Sequence, residues 1–330
     1  VRLFKRIIYC LLALFLIIIA VFAYRVYLAL YRPMIIEGQP IILEVKANST
    51  ANGLVQTLFT KNLIESRKIA LNYIKYAHLA NSLKAGVYQI NPGESLRDLL
   101  KRIVEGDVII ESFRIIEGTT LTQVSNNLQS ALYLNYDANA WQSIQGSYRS
   151  AEGLLLADTY HYNAGSDAKN ILITANKKLT AYLESSWQNQ DADLPYITPY
   201  DMLIAASIIE KEAAISSERK IIAGVVINRL RLHMPLQMDP TVIYALGNTF
   251  SGRLTHDDLN VDSPYNTYRY RGLPPTPIAM VGKDAIDAAA HPQKSKYLYY
   301  VAKGDGTHFF SENYTDQKKA ISRYLHKDDS

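Results

Sequence analysis

Apolar and polar positions follow three rhythms along this 330-residue chain. Near its start, "IIYCLLALFLIIIAVFA" from Ile7 to Ala23 carries no charge and is bracketed by Arg2, Lys5, Arg6 and Arg25. As a helix rising about 1.5 Å per residue the run covers roughly 26 Å, and "VYLAL" beyond Arg25 completes a span of about 30 Å. Basic residues ahead of the run favour a cytoplasmic N-terminus with the body outside, opposed by Arg25 and Arg32 on the far side. The run exceeds the apolar core of a secretory signal, and Tyr24, Tyr27 and Tyr31 suit a membrane interface. An uncleaved anchor over residues 1–32 is therefore expected, rather than a signal peptide cut near "VFA".

The second rhythm is an apolar strand, a turn with a hydroxyl residue, and a helix with leucines at helical spacing. It recurs in "ILEVKANSTANGLVQTLF" from Ile42, "VYQINPGESLRDLLKRIVEG" from Val87 and "FRIIEGTTLTQVSNNLQ" from Phe113. Gly93 and Gly118 stand two positions before Ser95 and Thr120, so glycine can supply the turn and the hydroxyl can cap the helix. This order resembles the LysM type of glycan-binding module, which sets a small α+β module at 33–130. After it come the apolar run "EGLLLADTYHYNAG", a helical stretch from Ala168, and a linker "NQDADLP" at residues 189–195.

From Thr198 the period is helical. "TPYDMLIAASIIEKEAA" opens with Thr198 at a cap position, Pro199 at the first helical position and Asp201 in the first turn. "SSERKIIAGVVINRLRLHM" follows, with serine caps and with Ile222, Val225, Val226, Arg229 and Leu230 on one stripe. "DPTVIYALG" reads as a short helix with Asp239 as cap and Gly247 as stop, "KYLYYVAKGDGTHFFSEN" as a hairpin turning near Asp305-Gly306, and "YTDQKKAISRYL" as a last helix. Residues 131–330 thus form a second, mixed α+β domain, and the chain as a whole is α+β behind an N-terminal transmembrane helix.

The chemistry candidates lie at the end of the helix from Thr198. Met202 to Ile209 are apolar or small all round except for Ser207, the mark of a buried helix. Glu210 and Glu212 then follow, pointing roughly 200° apart, so they cannot face each other as a pair. One is expected inward and the other outward, and the pattern alone does not choose. A carboxyl group against apolar surface loses solvation of its charged form, which raises its pKa toward the range of a general acid.

Composition removes several alternatives. The net charge of +4 is concentrated at the N-terminus: of 35 basic residues, five lie in residues 1–32 without an acid, leaving 30 against 31 acidic ones. Such a neutral body gives no electrostatic footprint for nucleic acid. Cys10, the single cysteine, sits in the first apolar run, which rules out an internal disulfide and a thiolate metal cluster. The seven histidines form no HExxH and no pair at ligand spacing, so no metal is expected. GxSxG and a phosphate-cradling glycine loop are both absent from the sequence.

The run "LIAASIIEKEAAISSERKIIAGVVINRLRLHMPLQMDPTVIYALG", continued by "LNVDSPYNTYRYRGLPPTPIAMVGKDAIDAAAHPQKSKYLYYVAKGDGTHFF", closely resembles the YceG-like (MltG) family of endolytic murein transglycosylases. The resemblance is dense from Asp201 onward and looser over the anchor, the LysM-like part and "EGLLLADTY". It implies that Glu212, the second glutamate of the E-K-E triplet, is catalytic, with Glu210 as the near neighbour to test beside it. It further implies cleavage of the β-1,4 bond between N-acetylmuramic acid and N-acetylglucosamine without water, with 1,6-anhydro ends, no cofactor and no metal. Gln237, Asp239, Asn266 and Tyr268 would orient sugar groups, with Asp239 as a helix cap and Asn266 as a turn-closer the plainer alternatives. Glu152 and Asp158 could line the same cleft. Expected partners are peptidoglycan strands, the inner membrane and cell-wall synthases. The catalytic part would be periplasmic, ending strand elongation. A membrane-anchored glycan-binding scaffold without activity is the alternative, and a hydrolase a third option. Two positions depart from the family: Ala213, where related enzymes carry Ser or Thr, and Ala157, where proline usually precedes "DTY".

Overall fold

The computed structural model describes residues 2–213 and 215–324, which leaves Ala214 of the glutamate-bearing stretch and Leu325 of the expected last helix outside the described residues. The chain forms two compact units. One takes the N-terminal residues through Glu111 together with 132–135 and 161–166, and the other takes 112–131, 136–160 and the chain from Asp167.

In the first unit, helix α1 (Arg2–Tyr31) precedes β1 (Ile41–Val45), α2 (Ala51–Thr60), α3 (Arg67–Tyr76), β2 (Gly86–Ile90) and α4 (Leu96–Glu105). Strands β1 and β2 pair antiparallel with Ile41 opposite Ile90 and Val45 opposite Gly86. Leu43, Tyr88 and Ile90 pack against Leu58, Ile74, Leu99 and Ile103 from the helices, so alternation in the strands and helical spacing converge on one core. The hydroxyls expected as caps act as caps: Thr50 accepts from Gly53 N, and Ser95 and Asp98 form a reciprocal capping box. Leu3–Tyr31 is long and apolar enough to cross a membrane, with a mean hydropathy of 2.9, and none of its apolar window is buried. Its last turn differs in that Leu30 enters the core of the first unit.

The chain continues with β3 (Ile110–Arg114), α5 (Leu121–Gln129), α6 (Gln142–Gln145), β4 (Thr159–Asn163), α7 (Ala168–Gln188), α8 (Pro199–Glu212), α9 (Arg219–Arg231), α10 (Asp239–Leu246), α11 (Lys283–Ala290), β5 (Tyr299–Ala302), β6 (His308–Ser311) and α12 (Tyr314–Tyr324), the helices from α5 onward and the β5–β6 hairpin lying in the second unit. The chain passes between the units within β3, and β3 pairs with β4. The third strand–turn–helix passage therefore places its helix α5 in the second unit. Reciprocal backbone bonds, Gly118 N to Met280 O at 2.8 Å and Met280 N to Thr119 O at 2.7 Å, hold its turn there.

Helix α8 is the axis of this unit, with α7, α9, α10 and α11 packed around it. Thr198 and Asp201 form its capping box and Pro199 opens it, as the sequence predicts. Every residue from Met202 to Ile209 is buried. The one polar member, Ser207, is satisfied by donating to Ile204 O at 2.8 Å and accepting from Ile278 N at 3.0 Å. On α9, Gly224 lets the helix lie directly on the chain at Gln293, where an added Cβ would stand 2.4 Å from a carbonyl oxygen. Contrary to the serine caps expected before α9, that helix begins after a turn of 3₁₀ helix at Ser216–Glu218 without a side-chain cap.

Because α8 is enclosed, trimming its core is costlier than weakening its start. Ile208→Ala is expected to cost about 2–5 kcal/mol and Thr198→Ala about 1 kcal/mol, read as shifts in denaturant midpoint.

Candidate active site

The end of α8 answers which glutamate is free to react. Since α8 is surrounded, directions roughly 200° apart both lead into protein, and neither Glu210 nor Glu212 points freely to solvent as the helical pattern suggested. Glu210 is only 8% exposed and both of its oxygens are engaged. Oε1 meets Arg219 Nη2 at 2.9 Å, and Oε2 accepts from Gly282 N at 2.9 Å. Burial pushes its pKa up, while Gly282 N–H and Arg219 pull it back. Glu210 thus binds α8, α9 and the start of α11 together.

Glu212, two residues on, opens into a cleft of about 270 Å³ that it lines with Arg229, Gln237, Met238, Asp239, Tyr268, Tyr300 and His308, among others. Burial pushes its carboxyl up to about 7, with Asp239 adding to the rise and the Tyr300 hydroxyl drawing it back. A carboxyl at that value holds its proton near neutrality and can also give it away, which is the requirement for a group acting as acid and then as base.

Around Glu212 the walls of the cleft come from α9, the loop into α10, the Tyr268 loop, the β5–β6 hairpin and α12. Arg229 is buried in α9 and pins two of them, donating from Nε to Leu298 O at 2.7 Å and from Nη1 to Pro235 O at 2.9 Å and Leu236 O at 2.8 Å. It also donates to Gln237 Oε1 at 3.1 Å, and its guanidinium lies over the Tyr299 ring at 5.1 Å. Gln237 turns the chain with φ 53°, and Asp239 follows at the start of α10. Rather than capping that helix, the Asp239 carboxylate accepts from the Tyr268 hydroxyl at 2.5 Å. The β5–β6 hairpin supplies Tyr300 and His308. Glu218 fixes His308 by accepting from its backbone N at 2.9 Å and pairing with its Nδ1 at 2.6 Å. A carboxylate can only accept, so the ring carries a proton on Nδ1.

Of the residues singled out in the sequence, Glu212, Gln237, Asp239 and Tyr268 meet in this cleft and the others stand elsewhere. Asn266 is fully buried and spends its side chain on its own loop, donating to Leu259 O and Val261 O and accepting from Tyr268 N. Glu152 is 4% exposed; it accepts from Leu121 N at 2.8 Å and the Tyr244 hydroxyl at 3.1 Å, and burial pushes it up to about 7. Asp158 is exposed and paired with Lys178 at 2.9 Å, which holds it below the usual carboxylate range. Sequence reasoning missed Arg229, Tyr300, Glu218 and His308. Only Arg229 left a signal, as a charge on the apolar stripe of its helix. No cluster of three or more His, Cys, Asp or Glu that could hold a metal forms among the described residues.

A buried helix ending in a carboxyl raised to about 7 beside a polar, aromatic cleft has what one-carboxyl acid–base chemistry requires. A profile of the YceG-like family matches residues 43–323, and the chain belongs to that family. It is 30% identical over 307 residues to the endolytic murein transglycosylase of Bacillus subtilis (strain 168), covering 86% of this chain and 84% of that protein. To the endolytic murein transglycosylase of Streptococcus pneumoniae serotype 2 it is 27% identical over 330 residues, covering 86% of this chain and 58% of the pneumococcal protein. In three dimensions it resembles the crystal structure of a YceG-like protein of Listeria monocytogenes. The TM-score is 0.53 at 31% identity, over 85% of this chain and 98% of that one.

The two glutamates of α8 are expected to separate in stability measurements. Glu210→Gln takes from Arg219 its buried carboxylate, leaving it the exposed Asp284, and costs about 3 kcal/mol, whereas Glu212→Gln at pH 8 leaves the unfolding midpoint unchanged or raises it. The pH dependence of stability follows from Glu152 and Glu212, both raised by burial to about 7. Native Glu152 keeps its proton to about 7 while the unfolded chain loses it near 4.5, so stability falls as pH rises between those values and then levels. Glu152→Gln should shallow that fall, as read from melting temperatures between pH 4 and 8.

Proposed function

We propose that this protein is a lytic transglycosylase that cuts peptidoglycan internally, at the β-1,4 bond between N-acetylmuramic acid and N-acetylglucosamine. The observation that carries this reading is the Glu212 carboxyl, raised to about 7 by burial at the wall of the cleft. Membership of the YceG-like family and the names of the Bacillus and Streptococcus relatives support it.

The chemistry needs one carboxyl. Glu212 gives its proton to the bridging oxygen as the bond from muramyl C1 to that oxygen breaks. The resulting carboxylate then takes the proton of the muramyl C6 hydroxyl as O6 bonds to C1 and closes the 1,6-anhydro ring. Because the attacking oxygen belongs to the sugar, a second carboxylate at glycosidase spacing has no task. In this reading Gln237, Asp239 and Tyr268, which line the cleft, meet hydroxyl and N-acetyl groups of the sugars.

The exposed apolar helix α1 serves in this reading as an inner-membrane anchor with the catalytic unit in the periplasm. The strand–helix passages of the first unit serve as a LysM-like glycan-binding module. Held there, the enzyme works on nascent strands beside cell-wall synthases and ends their elongation.

Digestion of purified sacculi is expected to release muropeptides with anhydromuramyl ends by mass spectrometry, and Glu212→Gln to abolish them. Reducing ends that incorporate solvent oxygen would instead mark a hydrolase, and intact sacculi a binding scaffold. Because Glu212 must start protonated, kcat/KM should fall by one proton as pH rises through about 7.

A further inference from the structure

One hydroxyl beside Glu212 has a single proton and two places to put it. Tyr300 projects from β5 into the cleft that Glu212 also lines, its Oη 2.9 Å from Met238 Sδ; burial raises the phenol's pKa, and Glu212 is close enough that the carboxyl's charge raises it further. The ring is held in place. His308 meets it edge-on, with centroids 5.3 Å apart and planes at 82°, and Glu218 fixes His308 at Nδ1 at 2.6 Å. The backbone is held too, since Gln317 Nε2 donates to Tyr300 O at 2.9 Å and Ser311 Oγ steadies Gln317 at 2.8 Å. With ring and backbone fixed, rotation of the O–H bond is the motion left.

A thioether is a weak acceptor, whereas a carboxylate is among the strongest. We propose that Tyr300 is a positioning residue whose hydroxyl proton follows the charge of Glu212, donated to Met238 Sδ while Glu212 holds its own proton and turned onto the Glu212 carboxylate once that proton has left. The inference rests on the transglycosylase reading of the cleft. No proton leaves Tyr300 at any stage: the Glu212 O–H breaks as the bridging oxygen gains its proton, and the C6 hydroxyl later returns one to Glu212. Burial keeps the phenol well above its ordinary value, so it donates without ionising.

The other charged groups near Glu212 cannot take this part. Asp239, from α10, repels a second negative charge and raises the Glu212 pKa. The Tyr268 hydroxyl is committed to Asp239. Arg229, from α9, spends Nε and Nη1 on carbonyls and Gln237. Lys211 turns to Gly118 O at 3.1 Å, and His308 to Glu218.

Two substitutions in the full-length chain, assayed on sacculi across pH, separate this role from a structural one. Tyr300→Phe removes the donor, so the alkaline limb of kcat/KM should move from about 7 to about pH 8, with kcat about tenfold lower and KM within about twofold. Met238→Leu removes the alternative acceptor, so the same limb should move to lower pH. Opposite movements support the proposal. A Tyr300→Phe limb that stays in place, or two limbs that move the same way, overturns it while leaving the transglycosylase reading intact. Should Tyr300→Phe fail to fold, the direction of the Met238→Leu limb decides alone. Release of anhydromuramyl ends by Glu212→Gln would instead remove the reading beneath it, and this proposal with it.

Discussion

The withdrawal of water from one carboxyl group, Glu212, is the constraint on which the rest of the second unit depends. An ordinary glutamate titrates near 4.5 and has no proton to give at neutral pH; here burial carries the group to about 7. The burial is a consequence of α8 being packed on all sides. A helix that only skirted the surface would deliver its last glutamate to bulk water, and the same residue would be an unremarkable charge.

Enclosing α8 creates a difficulty, because two glutamates arrive at its end. They are resolved by different partners. Glu210 receives a guanidinium and a backbone N–H, so its charge is compensated and its oxygens are occupied. At Glu212, burial and the repulsion of Asp239 outweigh the pull of the Tyr300 hydroxyl. Arg229 performs the equivalent compensation for the walls of the cleft, gathering the carbonyls of Pro235, Leu236 and Leu298 so that the loop before α10 and the strand β5 meet across from Glu212. A buried guanidinium satisfied by carbonyls is costly to assemble and stiff once made, which suits a site whose donors must stay aimed.

Much of this was legible along the chain, for reasons of period and capping. The capping box at Thr198, the buried run to Ile209, the hydroxyl caps at Ser95 and Thr120 and the hairpin around Asp305-Gly306 are local features, and local rules reach them. The assignment of α5 to the second unit was not legible, because it is decided by Gly118 and Thr119 bonding to Met280, far along the chain. Which glutamate is compensated was hidden for the same reason, since Arg219 and Gly282 are distant from Glu210 in different ways. Tyr300, Glu218 and His308 looked like ordinary members of a hairpin and a helix start. Only folding brings them to the cleft. Asn266 and Glu152 show the converse: polar residues in suggestive loops can be consumed entirely by structure.

The central claim is tested most directly by following the side-chain carboxyl carbon of Glu212 by ¹³C NMR across pH in the free protein, with Glu212→Gln to assign the signal. The account predicts a midpoint near 7. A midpoint near the ordinary 4.5 would mean that the carboxyl is fully hydrated, and would contradict it.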